Sequence, residues 1–266
     1  MSDWRSYDHI SKRYDRVWGH RFEAVARHLW ALIHPAPGAV VLDIGTGTGI
    51  VPRALGVGVD QLARVIGCDR SAGMLSTAKA QMPTLRVVAA EVTDLPFQHA
   101  MFDVATASFV LSHLLDHKAG LVEAYRVLKP SGVFGMTSWT ASADPYSQAW
   151  GELLAEAVSK DGLSEATTQV APSENYFETV NNVELALTDA GFSGVEVRTV
   201  VFEWSFSPEL YLADRELSSG GRFARYTLGP DAWGRFMAKA REELRRSFGS
   251  EFRYTREVLI GLGHRP

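Results

Sequence analysis

The 266-residue sequence predicts an α/β fold built on a doubly wound, mostly parallel sheet of about seven strands. Short apolar runs alternate with helical patterns through the first half of the chain, as in repeated βα units. A glycine-rich segment follows the first apolar run, as it does where a strand turns into a helix. Two further β-rich runs come late in the chain. The expected strands are 40–44, 64–69, 85–90, 102–107, 132–138, 195–206 and 253–262.

Helices are expected between and around these strands. Ser71 is a candidate N-cap, because its hydroxyl can accept a hydrogen bond from the first turn of the following helix. Residues 129–132, Lys-Pro-Ser-Gly, end another helix and lead into the fifth strand. The expected helices are 4–17, 21–33, 71–81, 118–128, 146–160, 183–190, 208–217 and 231–248, with a loop at 161–172 and a short or broken helix near 55–60.

These elements predict one domain over residues 1–266. Its parts are N-terminal helices at 1–34, a sheet core at 35–140, and a later region at 141–266 that contains further helices and the last two strands.

Composition and charge disfavour several classes of protein. Hydrophobic residues make up 46% of the chain and charged residues 22%, as in ordinary globular proteins. The net charge of −4 argues against a nucleic acid partner, since such proteins usually carry a basic surface. No apolar stretch is long enough to span a membrane, and the first residues lack the apolar core of a signal peptide. Cys68 is the single cysteine, so no intramolecular disulfide is expected. Together these features predict a cytoplasmic protein.

The segment 43–49, Asp-Ile-Gly-Thr-Gly-Thr-Gly, is the first candidate binding element. Glycine lets the backbone turn sharply and approach a ligand, because it has no Cβ. The spacing differs from the Gly-x-Gly-x-x-Gly of pyrophosphate binders, and no P-loop lysine follows. A tight turn without a ligand is the structural alternative.

Asp69 and Met74 strengthen the case for a ligand. Asp69 ends the second expected strand, where a carboxylate can accept hydrogen bonds from both hydroxyls of a ribose. Met74 follows at a position suited to packing on an adenine ring. The alternatives are that Asp69 caps the helix beginning near Ser71 and that Met74 is core. Together with the glycine loop, the two residues indicate an adenosyl-containing ligand.

Four segments, in order, resemble the motifs of class I S-adenosylmethionine-dependent methyltransferases. Val-Leu-Asp-Ile-Gly-Thr-Gly-Thr-Gly at 41–49 looks like their motif I, and 91–97 like the segment after their third strand. Residues 102–109 are similar to their fourth-strand motif, and 126–132 to the run before their fifth strand. The match is best with the small-molecule branch that includes the UbiE-like enzymes of ubiquinone and menaquinone biosynthesis. In that branch an N-terminal Tyr-Asp helix covers the cofactor, and Tyr7, Tyr14 and Asp15 fit the pattern.

The resemblance covers residues 5–140 well and implies a Rossmann-like sheet with S-adenosylmethionine as cofactor. Gly45, Thr46 and Gly47 are then expected to line the methionine moiety through their backbone, with Asp43 reaching its amino group. The other expected contacts are Tyr14 at the carboxylate, Asp69 at the ribose with Arg70 beside it, Met74, Glu91 and Val92 at the adenine, and Ser108 and Phe109 at the sulfonium. Glu91 departs from the aspartate usual in the family.

His113 is the candidate catalytic residue. The cofactor carries an activated methyl group, so the enzyme mainly aligns a nucleophile with the methyl–sulfur bond, although many nucleophiles must also lose a proton. His113 follows the fourth strand, beside the expected methyl position, and imidazole titrates near neutral pH. A general base is therefore predicted, with a packing residue in a proximity-driven enzyme as the alternative. His117 is expected at the surface, and Tyr7, His9 and His20 are weaker candidates. No metal site is expected.

Aromatic residues crowd the later region. Most are expected to form the core beneath the helices, and a minority to line an apolar pocket above the cofactor. Arg222 and Arg225 are suited to an acidic substituent but are expected to be solvated. The predicted reaction is methyl transfer to an O, N or C atom of a small, largely apolar molecule such as an aromatic, quinone or isoprenoid compound. Residues 1–34 and about 140–235 are expected to form a lid over the pocket.

Three alternatives stay open. A nicotinamide dehydrogenase would also use Asp69 for a ribose, although the order of the later motifs speaks against it. A methyltransferase-like enzyme that catalyses cyclisation, or a silent protein that only binds S-adenosylmethionine, fits the same motifs. The substrate and the oligomeric state, a homodimer included, are left undetermined.

Overall fold

The computed structural model describes residues 3–56, 64–141 and 144–266. Its helices are α1 (Ser11–Ile33), α2 (Ile50–Ala54), α3 (Ala72–Gln81), α4 (His117–Val127), α5 (Pro145–Ala157), α6 (Lys160–Val170), α7 (Val180–Asp189), α8 (Pro208–Leu217) and α9 (Ser219–Phe248). Its strands are β1 (Val40–Ile44), β2 (Arg64–Asp69), β3 (Arg86–Ala89), β4 (Phe102–Ser108), β5 (Leu128–Trp139), β6 (Ser193–Phe206) and β7 (Phe252–His264). Short 3₁₀ turns lie at Leu111–His113 and Asn175–Glu178.

Within the described residues, one seven-stranded sheet organises the chain in the order β3-β2-β1-β4-β5-β7-β6. The strands β1 to β5 pair in parallel, whereas β7 runs antiparallel to both β5 and β6. The strand order reverses between β1 and β4, so a crevice opens at the carboxyl ends of these two strands. The predicted α/β fold with a doubly wound sheet is confirmed.

The central strands bury both faces, because consecutive side chains of a strand point to opposite sides of the sheet. Val41, Val65 and Val104 pack in the cluster that includes α1 and part of α3. Their sequence neighbours Leu42 and Ile66 pack on the other face of the sheet, in the cluster that includes α4 and α7. This arrangement leaves the carboxyl ends of the strands as the accessible edge for a ligand.

The N-terminal region contains one helix, α1, where the sequence predicted two. Residues 4–10 are not helical, and α1 runs unbroken through Gly19. A glycine inside a helix costs about 1 kcal/mol relative to alanine. Burial of Val17, Val25 and Leu29 along one face of α1 outweighs that cost, since each buried aliphatic side chain contributes about 1.5–3 kcal/mol.

The later region is more helical than predicted. The expected loop at 161–172 is largely the helix α6, because Ser159 caps a new helix by accepting a hydrogen bond from the Gly162 N–H at 3.1 Å. The last helix begins at Ser219, twelve residues earlier than predicted, and continues past a kink at Gly229 and Pro230. The short helix expected after the glycine loop is α2, and residues 57–60 of that segment lie outside the described residues.

A buried ion network joins α1 to α8. The Asp214 carboxylate is 2% exposed and accepts hydrogen bonds from Arg21, Trp18 and Arg215. Burial alone would raise the pKa of Asp214, but the charges of Arg215 and Arg21 hold it below its ordinary value. The helix α8 is therefore held against α1, the helix that borders the crevice.

Candidate active site

A cavity of about 610 Å³ lies at the carboxyl ends of β1, β2 and β4. Most of the residues singled out from the sequence line it together. They are Tyr14, Gly45, Gly47, Asp69, Arg70, Met74, Glu91, Val92, Ser108, Phe109 and His113. Asp43 and Thr46 lie beneath the lining, where both side chains are buried. The structure therefore brings the residues singled out from the sequence together around one cavity, with Asp43 and Thr46 directly behind its wall.

The glycine loop brings the backbone against the cavity. Gly45 has φ +64° and Gly47 has φ +54°, a region that residues with a Cβ rarely adopt. A Cβ on Gly45 would stand 2.4 Å from Val110 Cγ2, so the close approach of these segments requires glycine there. The Thr46 N–H donates to the Cys68 carbonyl at 2.8 Å, which fixes the loop to the end of β2.

Asp69 organises two segments of the cavity wall. Its Oδ2 accepts the Gly47 N–H at 2.9 Å, and its Oδ1 accepts the Ser71 N–H at 2.8 Å. Ser71 is the N-cap of α3, as predicted, because its Oγ accepts the Met74 N–H at 3.1 Å. Each carboxylate oxygen retains a second lone pair, so these bonds leave Asp69 able to accept from a ligand.

Asp43 is a buried carboxylate with one unsatisfied oxygen. Its Oδ1 accepts a hydrogen bond from Thr106 Oγ1 at 2.7 Å, whereas its Oδ2 has no partner among the described residues. Burial raises the pKa of Asp43 to about 7. A buried acceptor without a partner is costly, so this position suits a ligand that donates a hydrogen bond or carries a positive charge.

The chain after β4 is held in a strained conformation beside the cavity. Phe109 has φ +55°, although it is not glycine, and its ring stacks on Trp139 with centroids 4.4 Å apart. Its N–H donates to the Thr137 carbonyl at 3.0 Å. Strain of this kind persists only where the surroundings impose it, and it is commonest at functional sites. The result is an aromatic wall next to Ser108.

His113 presents an imidazole to the cavity. Its Nδ1 lies 2.8 Å from the Val170 carbonyl oxygen, which can only accept, so Nδ1 carries the proton. Nε2 is then the basic nitrogen. Desolvation within the protein lowers the pKa of His113 below 6.5, and the charges of Arg222 and Arg70 lower it further. His113 is therefore neutral near pH 7 and able to accept a proton.

The residues before α1 also line the cavity, and sequence patterns did not identify most of them. Tyr7 and Asp8 do so directly, and Asp8 Oδ1 accepts hydrogen bonds from Ser71 Oγ at 2.6 Å and from the Gly73 N–H at 2.9 Å. A Cβ on Gly73 would stand 2.2 Å from the Asp8 carbonyl oxygen. The N-terminal segment is thus docked on the first turn of α3.

Two expectations for the surroundings of the cavity were wrong. Arg222 is buried, at 7% exposure, because its guanidinium stacks 4.4 Å above the Tyr7 ring; Arg225 is exposed, as expected. His117 begins α4 but is half-buried, since its ring stacks on Tyr176 at 4.6 Å.

The cavity fits S-adenosylmethionine in three respects. Gly45 and Gly47 form a wall that a Cβ would fill or strain, Asp43 offers an unsatisfied buried oxygen for an amino group, and Asp69 offers acceptors for a ribose.

Comparison with known proteins agrees with this site. Residues 42–136 match the family model described as a methyltransferase domain. The demethylmenaquinone methyltransferase of Beutenbergia cavernae is 32% identical over 213 residues, which are 73% of this chain and 84% of the relative. Phosphoethanolamine N-methyltransferase 2 of Haemonchus contortus, solved with phosphomonomethylethanolamine and S-adenosylhomocysteine, has a TM-score of 0.61 at 16% identity and covers 100% of this chain and 61% of its own.

The [4+2]-cyclase SpnF has a similar fold, with a TM-score of 0.53 at 16% identity over 92% of this chain and 81% of its own. Among the described residues, none of the helices combines the length and apolar character needed to cross a bilayer. The glycine loop, the buried carboxylates and the relatives lead to one conclusion: the chain belongs to the family of S-adenosylmethionine-dependent methyltransferases that includes the demethylmenaquinone methyltransferases, and S-adenosylmethionine is its cofactor.

Proposed function

We propose that this methyltransferase alkylates an O, N or C atom of a small, largely apolar molecule that binds in the cavity beside His113. The observation that carries the proposal is the composition of the His113 end of the cavity. Tyr7, Phe109, Val110 and Leu114 line it together with His113, while Asp3, Arg5, Ser6 and Gln169 add polar groups to the cavity. Aromatic and aliphatic walls with few polar groups are typical of sites for small apolar ligands.

The cofactor-binding half of the cavity is the half formed by the family motifs. In this proposal Gly45, Gly47 and Asp43 hold the methionine moiety, with Thr46 shaping the loop from below. The remaining contacts are Asp69 and Arg70 at the ribose, Met74, Glu91 and Val92 at the adenine, Ser108 and Phe109 near the sulfur, and Tyr14 at the carboxylate. The cofactor supplies an electrophilic methyl group on a sulfonium.

His113 acts as the general base in this proposal. Its Nδ1–H bond to the Val170 carbonyl fixes the ring and leaves Nε2 as the acceptor for a proton from the substrate. Deprotonation strengthens the nucleophile while the cavity aligns it with the methyl group. The protein therefore contributes orientation, exclusion of water and one proton transfer.

The proposed function is tested by incubating the enzyme with S-adenosylmethionine labelled in its methyl group and a panel of phenols, quinols and isoprenoids. We expect the label to appear in one of these compounds. Label transferred only to strongly polar acceptors would contradict the proposed substrate class. Conversion of a substrate without incorporation of label would instead indicate a cyclase or another non-methylating reaction.

Replacing Asp69 by alanine is expected to weaken S-adenosylmethionine binding by about 1.5–3 kcal/mol, because a charged acceptor for hydrogen bonds is lost. Isothermal titration calorimetry measures this difference directly. Asp69→Asn is the matched control, since it keeps one carbonyl oxygen to accept the Gly47 or Ser71 N–H. Unchanged affinity in Asp69→Ala, or tight binding of NADH by the parent enzyme, would contradict the assigned role.

The N-terminal segment is proposed to act as a lid within a single domain, together with the helices of 141–235. Gly73→Ala is expected to displace the segment, because the new methyl group would collide with the Asp8 backbone. Loss of the lid admits water to the cavity, so turnover should fall by about tenfold or more while the sheet stays folded.

Limited proteolysis with and without S-adenosylhomocysteine tests this lid. Cleavage near residue 8 should slow when the ligand is added to the parent enzyme, but not when it is added to Gly73→Ala. Gly151→Ala is the matched control, since Gly151 also lies in a helix and a Cβ there meets nothing within 4 Å. Equal protection with and without ligand in the parent enzyme would refute a mobile lid.

A further inference from the structure

The buried guanidinium of Arg222 forms no salt bridge among the described residues. Its charge acts on the Asp3 carboxylate, which is itself bound to Arg5. Arg222 Nη1 donates to the backbone carbonyls of Arg5 at 3.2 Å and Ser6 at 3.5 Å, whereas its Nε and Nη2 are buried without partners. Arginine stays protonated inside proteins, so this charge cannot be relieved by titration. An uncompensated buried cation is destabilising, which indicates that its charge serves a ligand.

Arg222 lies directly behind the His113 end of the cavity. Its guanidinium covers the Tyr7 ring at 4.4 Å, and the Tyr7 ring meets the His113 ring edge to face with centroids 6.0 Å apart. Tyr7 and His113 both line the cavity, as does the cationic Arg70. Burial raises the pKa of Tyr7, and the positive charges of Arg222 and Arg70 oppose that rise. Desolvation lowers the pKa of His113, and the same two charges lower it further.

The acidic groups of the cavity are engaged elsewhere. Asp3 is bound to Arg5 at 2.9 Å, and Asp8 is bound at the start of α3. Asp69 and Glu91 belong to the cofactor half. Glu174 also acts on Tyr7, and burial raises the pKa of its carboxyl. Arg222 and Arg70 therefore place two cationic groups near the His113 end of the cavity, and neither forms a salt bridge among the described residues.

We propose that the cavity binds its acceptor as an oxyanion, the deprotonated form of a phenol or enol, and that the buried Arg222 guanidinium stabilises this anion. The inference rests on the proposed function, because it names the chemical class of the substrate in the same site. Arg222 acts through the positive electrostatic potential of its guanidinium at the site, so it needs no direct contact with the substrate. It lies outside the segment 42–136 that matches the family model.

The reaction then consists of one proton transfer and one methyl transfer. The acceptor hydroxyl gives its proton to His113 Nε2, which becomes an imidazolium. The acceptor then forms its new bond to the methyl carbon, through the oxygen or through the carbon that shares its negative charge. The methyl–sulfur bond breaks with its electron pair left on sulfur, and S-adenosylhomocysteine results. Where carbon is the nucleophile, it then loses its hydrogen as a proton to solvent, and the oxygen takes back the proton held by His113, which restores the phenol or enol. Where oxygen is the nucleophile, His113 returns its proton to solvent.

The test uses 4-nitrophenol and 4-nitro-1-naphthol, whose anions absorb visible light that the neutral phenols do not. Each probe is titrated over pH in the complex of the enzyme with S-adenosylhomocysteine. The charge of Arg222 acts on the bound anion across the Tyr7 ring. At an effective dielectric near 20, such a unit charge favours the bound anion by about tenfold. We expect an apparent pKa about one unit below that of the free phenol in the parent enzyme. Arg222→Gln should abolish this shift, and Arg222→Lys should retain most of it.

Arg225→Gln is the matched control, because Arg225 lies one turn further along α9 but is exposed and paired with Glu216. It should leave the titration of the probe unchanged. Thermal melting checks that Arg222→Gln is folded, and Arg222→Met replaces it if it is not. Equal titration of the bound probe in the parent and in the neutral variants would overturn the proposal, as would failure of the parent to bind either anion.

The variant His113→Gln separates the role of Arg222 from that of the general base. The probe is measured at equilibrium without methyl transfer, so His113→Gln should keep the preference for the anion even where its turnover is lost. An anion preference that disappears in His113→Gln but persists in Arg222→Gln would assign the effect to His113 and overturn the role of Arg222.

Discussion

Replacing His113 by glutamine is expected to lower turnover by about 10²–10⁴-fold, the usual contribution of a positioned general base. Glutamine can still donate to the Val170 carbonyl, as Nδ1 does now, but its amide cannot accept a proton at neutral pH. The wall of the cavity should therefore persist while the chemical step loses its base. Single-turnover methyl transfer, with the acceptor identified from the labelled panel, measures the change.

The affinity for S-adenosylmethionine should stay nearly the same in His113→Gln, because the proposed arrangement assigns no cofactor contact to the His113 side chain. His117→Gln is the matched control, since His117 packs against Tyr176 and Ser173 and does not line the cavity. A His113→Gln enzyme that turns over within a few-fold of the parent would show that proximity alone drives the reaction.

Replacing Asp214 by alanine is expected to lower the free energy of unfolding by about 3–5 kcal/mol. The change leaves the Arg21 guanidinium, whose side chain is 8% exposed, buried without its carboxylate. It also removes the acceptor for the Trp18 indole N–H. Urea unfolding followed by circular dichroism measures the loss.

The exposed pair of Lys239 and Glu156 provides the control for Asp214. Both side chains are more than half exposed, so Glu156→Ala should cost about 0–1 kcal/mol. The contribution of Asp214 should also depend on pH. Its pKa is below 3.8 in the folded protein, so the stabilisation is present above pH 3.8 and is lost as pH falls through the folded pKa. Similar losses in the two alanine variants would contradict a special role for the buried network.

The sheet and the position of the glycine loop beside Asp69 could be predicted from the sequence, because both depend on local patterns. An apolar run such as 40–44 specifies a buried strand by itself, and Gly45 and Gly47 specify a turn that only glycine accommodates without strain. Asp69 could be placed because it ends a strand next to that turn. These positions are fixed by neighbours in the sequence.

The acceptor half could not be predicted in the same way, because it is assembled from distant segments. Arg222 has the sequence surroundings of a surface arginine, and only its packing on Tyr7 makes it buried. Val170 orients His113 from a segment that was expected to be a loop. Docking of Asp8 on α3 depends on the absence of a side chain at Gly73, which no local pattern indicates.

We propose that a neutral His113 accepts a proton from the substrate, and the pH dependence of single-turnover methyl transfer tests this role most directly. Since desolvation within the protein lowers the pKa of His113 below 6.5, the rate in the parent enzyme should rise about tenfold per pH unit and level off at a pH below 6.5. His113→Gln should lack this rise and stay slow throughout. A His113→Gln enzyme with the same rise and the same plateau rate as the parent would contradict the account.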